Sequence, residues 1–107
     1  MSQQKATRTV VVTDPAGVHV RTASAISAIT RRSKSQVEIV SQYHRAKSTD
    51  VLDMLALAAP KGASVTLEAT GPDASQVLDA LEPLFTGDEM LLAAAVRPVN
   101  ESDEENK

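Results

Sequence analysis

The stretch Thr7-Arg8-Thr9-Val10-Val11-Val12-Thr13-Asp14-Pro15-Ala16-Gly17-Val18-His19-Val20-Arg21-Thr22-Ala23 passes from one kind of backbone to another within a few residues. Thr7 to Thr13 is rich in β-branched side chains, which fit a pleated surface, and predicts a first strand. Asp14-Pro15-Ala16-Gly17 stops that strand with four turn-forming residues. From Val20 to about Arg32 the apolar residues Ala23, Ile26 and Ile29 recur at helical spacing. Arg31, Arg32 and Lys34 follow where cations complement the negative end of a helix, so the pattern predicts a helix over 20–32.

The same two periodicities organise the rest of the chain. Gln36 to Ser41 alternates polar and apolar residues and predicts a second strand with one buried face. Gln42 to Ser48 is more polar and predicts a turn and a short edge strand, within which His44 is read as a solvated loop histidine. Asp50 to Ala59 sets Val51, Leu52, Leu55, Ala58 and Ala59 on one helical face, with Asp50 as cap and Pro60 as stop. Ala63 to Ala69 alternates again and is closed by Thr70-Gly71-Pro72. Asp73, paired with Gln76 as in a capping box, opens a last helix with a stripe of Val77, Leu78, Leu81, Leu84 and Phe85, ended by Thr86-Gly87. The order β-α-β-β-α-β-α favours an α+β fold in which helices cover one face of an antiparallel sheet.

Composition narrows what such a domain can do. The 107 residues suffice for one core, and with one Tyr, one Phe and no Trp that core must be aliphatic. The aromatic shortage argues against base stacking, and the net charge of −3 supplies no general attraction for nucleic acid. Without cysteine there are no disulfides and no thiolate zinc site. No spacing of a nucleotide loop, metal site or Ser-His-Asp triad is present, so no metal and no cofactor are expected. The N-terminus lacks a signal-peptide pattern, and no run approaches the ~20 apolar residues of a membrane span, which leads us to expect a cytoplasmic protein without a membrane partner.

Gly17-Val18-His19-Val20-Arg21-Thr22-Ala23 resembles the Gly-x-His-x-Arg-Pro-Ala motif of the HPr phosphocarriers of the bacterial phosphoenolpyruvate-dependent phosphotransferase system, with Thr22 at the proline. The resemblance spans roughly residues 7–87. The second signature of that family is a serine, a short apolar helix and a Gly turn, and it aligns without a gap onto Asp50 through Gly62, with Asp50 at the serine. The resemblance implies an HPr-like open-faced β-sandwich, four antiparallel strands under three helices, in a domain over 7–87. Residues 1–6 are then expected as a flexible N-terminus, and 88–107 as an acidic extension that is disordered from about residue 100.

By the same resemblance His19 accepts a phosphoryl group from phosphorylated enzyme I and gives it to an enzyme IIA-type or regulatory acceptor, so that the chain is a carrier and not a complete catalyst. It is expected to act as a monomer. The alternative is an HPr-derived regulatory binding module in which transfer is slow or lost. The residue chemistry agrees with a carrier: an imidazole can take and release phosphate near neutral pH. At a helix start the backbone N–H groups of Val20, Arg21, Thr22 and Ala23 would face the dianion. Arg21 adds a planar cationic fork. Thr22, unlike proline, restores an N–H and adds a hydroxyl, and so is expected to increase the phosphate donors. Asp50, at the regulatory serine position, carries a charge like that of a phosphoserine but smaller, or is a plain helix cap. Arg31, Val51, Leu52 and Leu55 are the expected partner-binding residues, with Asp53 adding negative charge among them.

Overall fold

The structure, a computed structural model, describes residues 4–42 and 44–87. The expectations for residues 1–3 and 88–107 lie outside the described residues. Seven regular elements and a closing 3₁₀ turn follow in the order β1 (Lys5–Val11), α1 (Val20–Arg32), β2 (Gln36–Val40), β3 (Arg45–Lys47), α2 (Val51–Leu55), β4 (Ser64–Thr70), α3 (Ala74–Leu81) and the turn Glu82–Thr86. The four strands form one antiparallel sheet in the order β1-β4-β2-β3. Its inward side chains, Val10, Val37, Ile39, Ala46, Val65, Leu67 and Ala69, are buried. They meet Ala23, Ala25 and Ile26 of α1, Met54 of α2 and Val77, Leu78 and Leu81 of α3 in one core. The other face is open: there Arg45 bridges Glu38 at 2.6 Å and Glu68 at 2.7 Å.

The first helix has the predicted bounds, because turn, apolar spacing and terminal cations all agree over 20–32. The first strand is displaced towards the N-terminus from the predicted 7–13. Lys5 already pairs with Thr70, and after Val11 the N–H groups of Thr13 and Asp14 turn away to the Phe85 carbonyl. The polar segment before Ser48 does form an edge strand, Arg45–Lys47. The last helix changes form at Pro83, whose ring denies the α-helical ladder a donor; the chain tightens into the 3₁₀ turn, and Leu84 and Phe85 stay buried. Asp73 corrects the capping-box expectation. It stands at the N-cap of α3, but its carboxylate accepts from Ser35 Oγ and, at 3.0 Å, from the Lys34 N–H. It therefore ties α3 to the turn between α1 and β2.

The second helix is half as long as predicted. It stops at Leu55, and Leu57 and Ala58 continue with i→i+3 bonds to Met54 and Leu55. Ala58 then adopts the left-handed region, with φ 50°. Ala59 precedes a proline and is steered away from helical backbone, so the chain reverses before Pro60. In consequence the buried residues here are Met54, Leu57 and Ala59, while Leu52, read as part of the apolar face, is 78% exposed. A left-handed alanine costs about 1–2 kcal/mol relative to ordinary backbone. Ala58→Gly, at an exposed position, should accordingly raise stability by about 0.5–1 kcal/mol after the added freedom of the unfolded chain is subtracted; urea unfolding midpoints measure it.

Candidate functional site

Asp14-Pro15-Ala16-Gly17 is a β-turn with Asp, Pro and Gly at the positions that favour them. The Gly17 N–H donates to the Asp14 carbonyl at 2.8 Å, and the Ala16 N–H donates to Asp14 Oδ1 at 2.9 Å. Gly17 has φ 73°, and a Cβ there would lie 2.5 Å from the Ala59 carbonyl oxygen, so only glycine fits. The close approach lets the Val18 N–H donate to that same Ala59 carbonyl at 2.9 Å. The loop ahead of α1 is thus clamped against the connection between α2 and β4.

His19 follows as the N-cap of α1, in extended backbone. Its side chain is 33% exposed, and its Nε2 lies 3.1 Å from Asp14 Oδ2. The Asp14 side chain is 11% exposed. Its carboxyl is held below the ordinary carboxylate range, first by the Ala16 N–H, then by His19 and the positive charge of Arg21, against the opposing effect of burial. Sequence reading used Asp14 only as a turn former; an aspartate five residues before the histidine, across a tight turn, was the available signal.

The helix ladder begins with the Ala23 N–H, which donates to the His19 carbonyl at 2.9 Å. That corrects one of the four expected backbone donors: Ala23 is engaged, and the N–H groups of Val20, Arg21 and Thr22 stand ahead of the ladder. Thr22 is corrected as well. It is 1% exposed, and its hydroxyl is buried without a partner among the described residues, so it adds no donor towards solvent. A buried unpaired hydroxyl costs about 1–3 kcal/mol.

The remaining expected residues divide. Asp50 caps α2, its Oδ1 accepting from the Asp53 N–H at 3.1 Å. Val51 and Leu55 are partly buried against the core, whereas Leu52, together with Val20 at 59%, is exposed. Arg31 is exposed but braced: Nε donates to Ser27 Oγ at 2.8 Å and a terminal nitrogen to the Thr49 carbonyl at 2.7 Å. Asp53 is also engaged, since Oδ1 lies 2.8 Å from His44 Nε2 and Oδ2 accepts from the Lys47 N–H at 2.9 Å. His44 is therefore a bonded residue and not a simply solvated one. Among the described residues no group of three His, Cys, Asp or Glu could hold a metal ion, and no helix is long and apolar enough to cross a membrane.

Fold and loop together define a small open-faced sandwich domain that presents a half-buried histidine at the start of its first helix. A family model for the HPr component of the phosphotransferase system, described by its phosphorylation site, matches residues 6–86. The phosphocarrier protein HPr of Treponema pallidum (strain Nichols) is 35% identical over 78 residues, covering 73% of this chain and 89% of that protein. That of Lysinibacillus sphaericus is 34% identical over 80 residues, covering 75% and 91%. Among solved structures, HPr from Bacillus anthracis str. Ames superposes with a TM-score of 0.70 at 21% identity, over 75% of this chain and 95% of that one. The histidine-containing phosphocarrier protein of a Mycoplasma gives 0.72 at 24%, over 81% and 97%. At such identities the superpositions establish the fold. The chain belongs to the HPr family of phosphotransferase-system phosphocarriers.

The lowered carboxyls of Asp14, Asp53 and Asp73 make stability depend on acid. Each binds its proton less readily folded than unfolded, so its contribution is complete above the ordinary carboxylate range and lost as pH falls through the lowered folded value. The thermal midpoint should therefore drop between about pH 5 and about pH 2, and Asp14→Asn should lose less of it over that interval; calorimetry across the range is the check.

Proposed function

We propose that this chain carries a phosphoryl group on His19, taking it from phosphorylated enzyme I and delivering it to an enzyme IIA-type or regulatory acceptor. The observation that carries this reading is the position of the imidazole: one-third exposed at the N-cap of α1, directly before three backbone N–H groups outside the helix ladder. A neutral ring nitrogen attacks phosphorus while the bond to the donor breaks. The phosphoryl oxygens are met by the N–H groups of Val20, Arg21 and Thr22, the positive end of the helix dipole and the Arg21 guanidinium. The ring releases the group in the same way to the next acceptor, so the chain is a carrier that needs a partner on either side.

Partner docking falls to the ground around the ring. Val20 and Leu52 are exposed apolar side chains of the kind a partner buries. Arg31, near the far end of α1 and close to Val51, adds a cation whose geometry is fixed by Ser27 and Thr49. The domain acts as a monomer in the cytoplasm, with no cofactor. Asp50 serves as a helix cap and not as a built-in imitation of a phosphorylated serine, a reading supported by its bond from the Asp53 N–H.

Incubation with phosphoenolpyruvate and enzyme I from the same cell should add the mass of one acid-labile phosphoryl group, absent in His19→Ala. Arg21→Ala should slow transfer about tenfold or more, the equivalent of losing one charge-assisted hydrogen bond to the phosphoryl group. No phosphohistidine in the wild-type chain would overturn the reading in favour of a binding module. Asp50→Ser should leave the transfer rate within about twofold, the two residues being comparable caps; a large acceleration on losing the charge would instead mean that Asp50 restrains docking.

A further inference from the structure

We propose that Asp14 is the positioning residue of the phosphorylation reaction: its carboxylate holds the His19 ring with the proton on Nε2 and leaves Nδ1 as the attacking atom. The inference rests on the carrier reading above for its chemical consequence, though the ring geometry stands by itself. A carboxylate ionised at neutral pH is an acceptor only. Oδ2 lies 3.1 Å from Nε2, so Nε2 carries the hydrogen and donates it, and a neutral imidazole then has its lone pair on Nδ1.

Three features show that this carboxylate is built in and not a passing surface contact. Its other oxygen is fixed by the Ala16 N–H at 2.9 Å, which orients the whole group. Its backbone is anchored, the N–H groups of Thr13 and Asp14 donating to the Phe85 carbonyl at 3.1 and 3.3 Å. The space it occupies is left by Gly87: a Cβ on that residue, which has φ 80°, would come within 2.7 Å of both Asp14 Cγ and Oδ2. The other charge acting on the carboxylate from the site is Arg21, on the first turn of α1.

In transfer, the Nδ1 lone pair forms the new N–P bond as the bond from phosphorus to the donor atom of phosphorylated enzyme I breaks, and that electron pair returns to the donor. The proton stays on Nε2. The phosphorylated ring is therefore cationic, and Asp14 faces that charge directly. Onward transfer is the reverse: the N–P electrons return to Nδ1, the next acceptor's lone pair bonds to phosphorus, and a neutral ring remains. No proton has to enter or leave in either direction.

Asn in place of Asp gives a sharp test, because only its oxygen can accept from the Ala16 N–H. Its amide NH2 is then turned to Nε2, which must present a lone pair, and the ring proton moves to Nδ1. On 15N-labelled protein, histidine nitrogen shifts should place the proton of neutral His19 on Nε2 in the wild type, on Nδ1 in Asp14→Asn and on both in Asp14→Ala. Phosphoryl uptake from phosphoenolpyruvate and enzyme I should fall about tenfold or more in Asp14→Asn and less in Asp14→Ala. Dispersed amide spectra serve as the control for folding, and Asp14→Ala carries the test if the Asn variant fails it. The same Nε2 proton and unchanged uptake in the variants would overturn the proposal. A wild-type chain that takes no phosphoryl group would overturn the carrier reading instead, and the nitrogen shifts would still decide what Asp14 does to the ring.

Discussion

The antiparallel register of β1 against β4 is the constraint on which the site depends. Seven residue pairs run from Lys5 opposite Thr70 to Val11 opposite Ser64. That register brings the chain leaving β1 and the chain entering β4 to the same end of the sheet. The pairing carries on past the strands, with the Val12 N–H donating to the Ala63 carbonyl and the Gly62 N–H to the Val12 carbonyl. A slip of one residue would turn Val10 or Val65 out of the core, according to which strand shifted; they are 5% and 1% exposed, so the hydrophobic pattern of both strands holds the register.

Once that register is set, two close approaches shape the loop. On one side the Ala59 carbonyl presses on Gly17 and receives the Val18 N–H. On the other, the 3₁₀ turn after α3 brings Phe85 and Gly87 against Asp14. The histidine loop is gripped between the segment before β4 and the end of α3, two parts of the chain far from it in sequence. The left-handed Ala58 belongs to the same arrangement, since it turns the chain so that the next carbonyl points at the loop. Strain there and a close glycine contact here are two sides of one fit.

Sequence legibility followed how local each cause was. The helix at 20–32 was readable because its turn, spacing and end charges are all encoded nearby. The short edge strand was readable from its polarity. The second helix was overrun because the residue that reverses it is Ala58, where a glycine would have marked the stop. Asp73 looked like half of a capping box, but its carboxylate found Ser35, 38 residues away in the chain. At the site, His19 and Arg21 stood out by motif, and the position of His19 at the helix cap followed from the turn before it. Asp14 did not stand out, because its turn-forming role hid a second oxygen free to reach the ring. The burial of Thr22 was hidden for another reason: its polar side chain gave no sign of facing the core.

The seat of Asp14 has a bearing on how the protein is made. His19, its helix and the turn before it are translated ahead of the segment that completes the seat of Asp14: the Phe85 carbonyl, which holds the aspartate's backbone, and the space at Gly87, against which its carboxylate packs. A nascent chain that has already formed its first helix still lacks the wall that sets the aspartate. The site is finished only when the final turn has emerged from the ribosome and packed. An interrupted chain would therefore display the histidine beside an aspartate held only by its own turn, through the Ala16 and Gly17 N–H groups, without the Phe85 and Gly87 contacts that complete its seat.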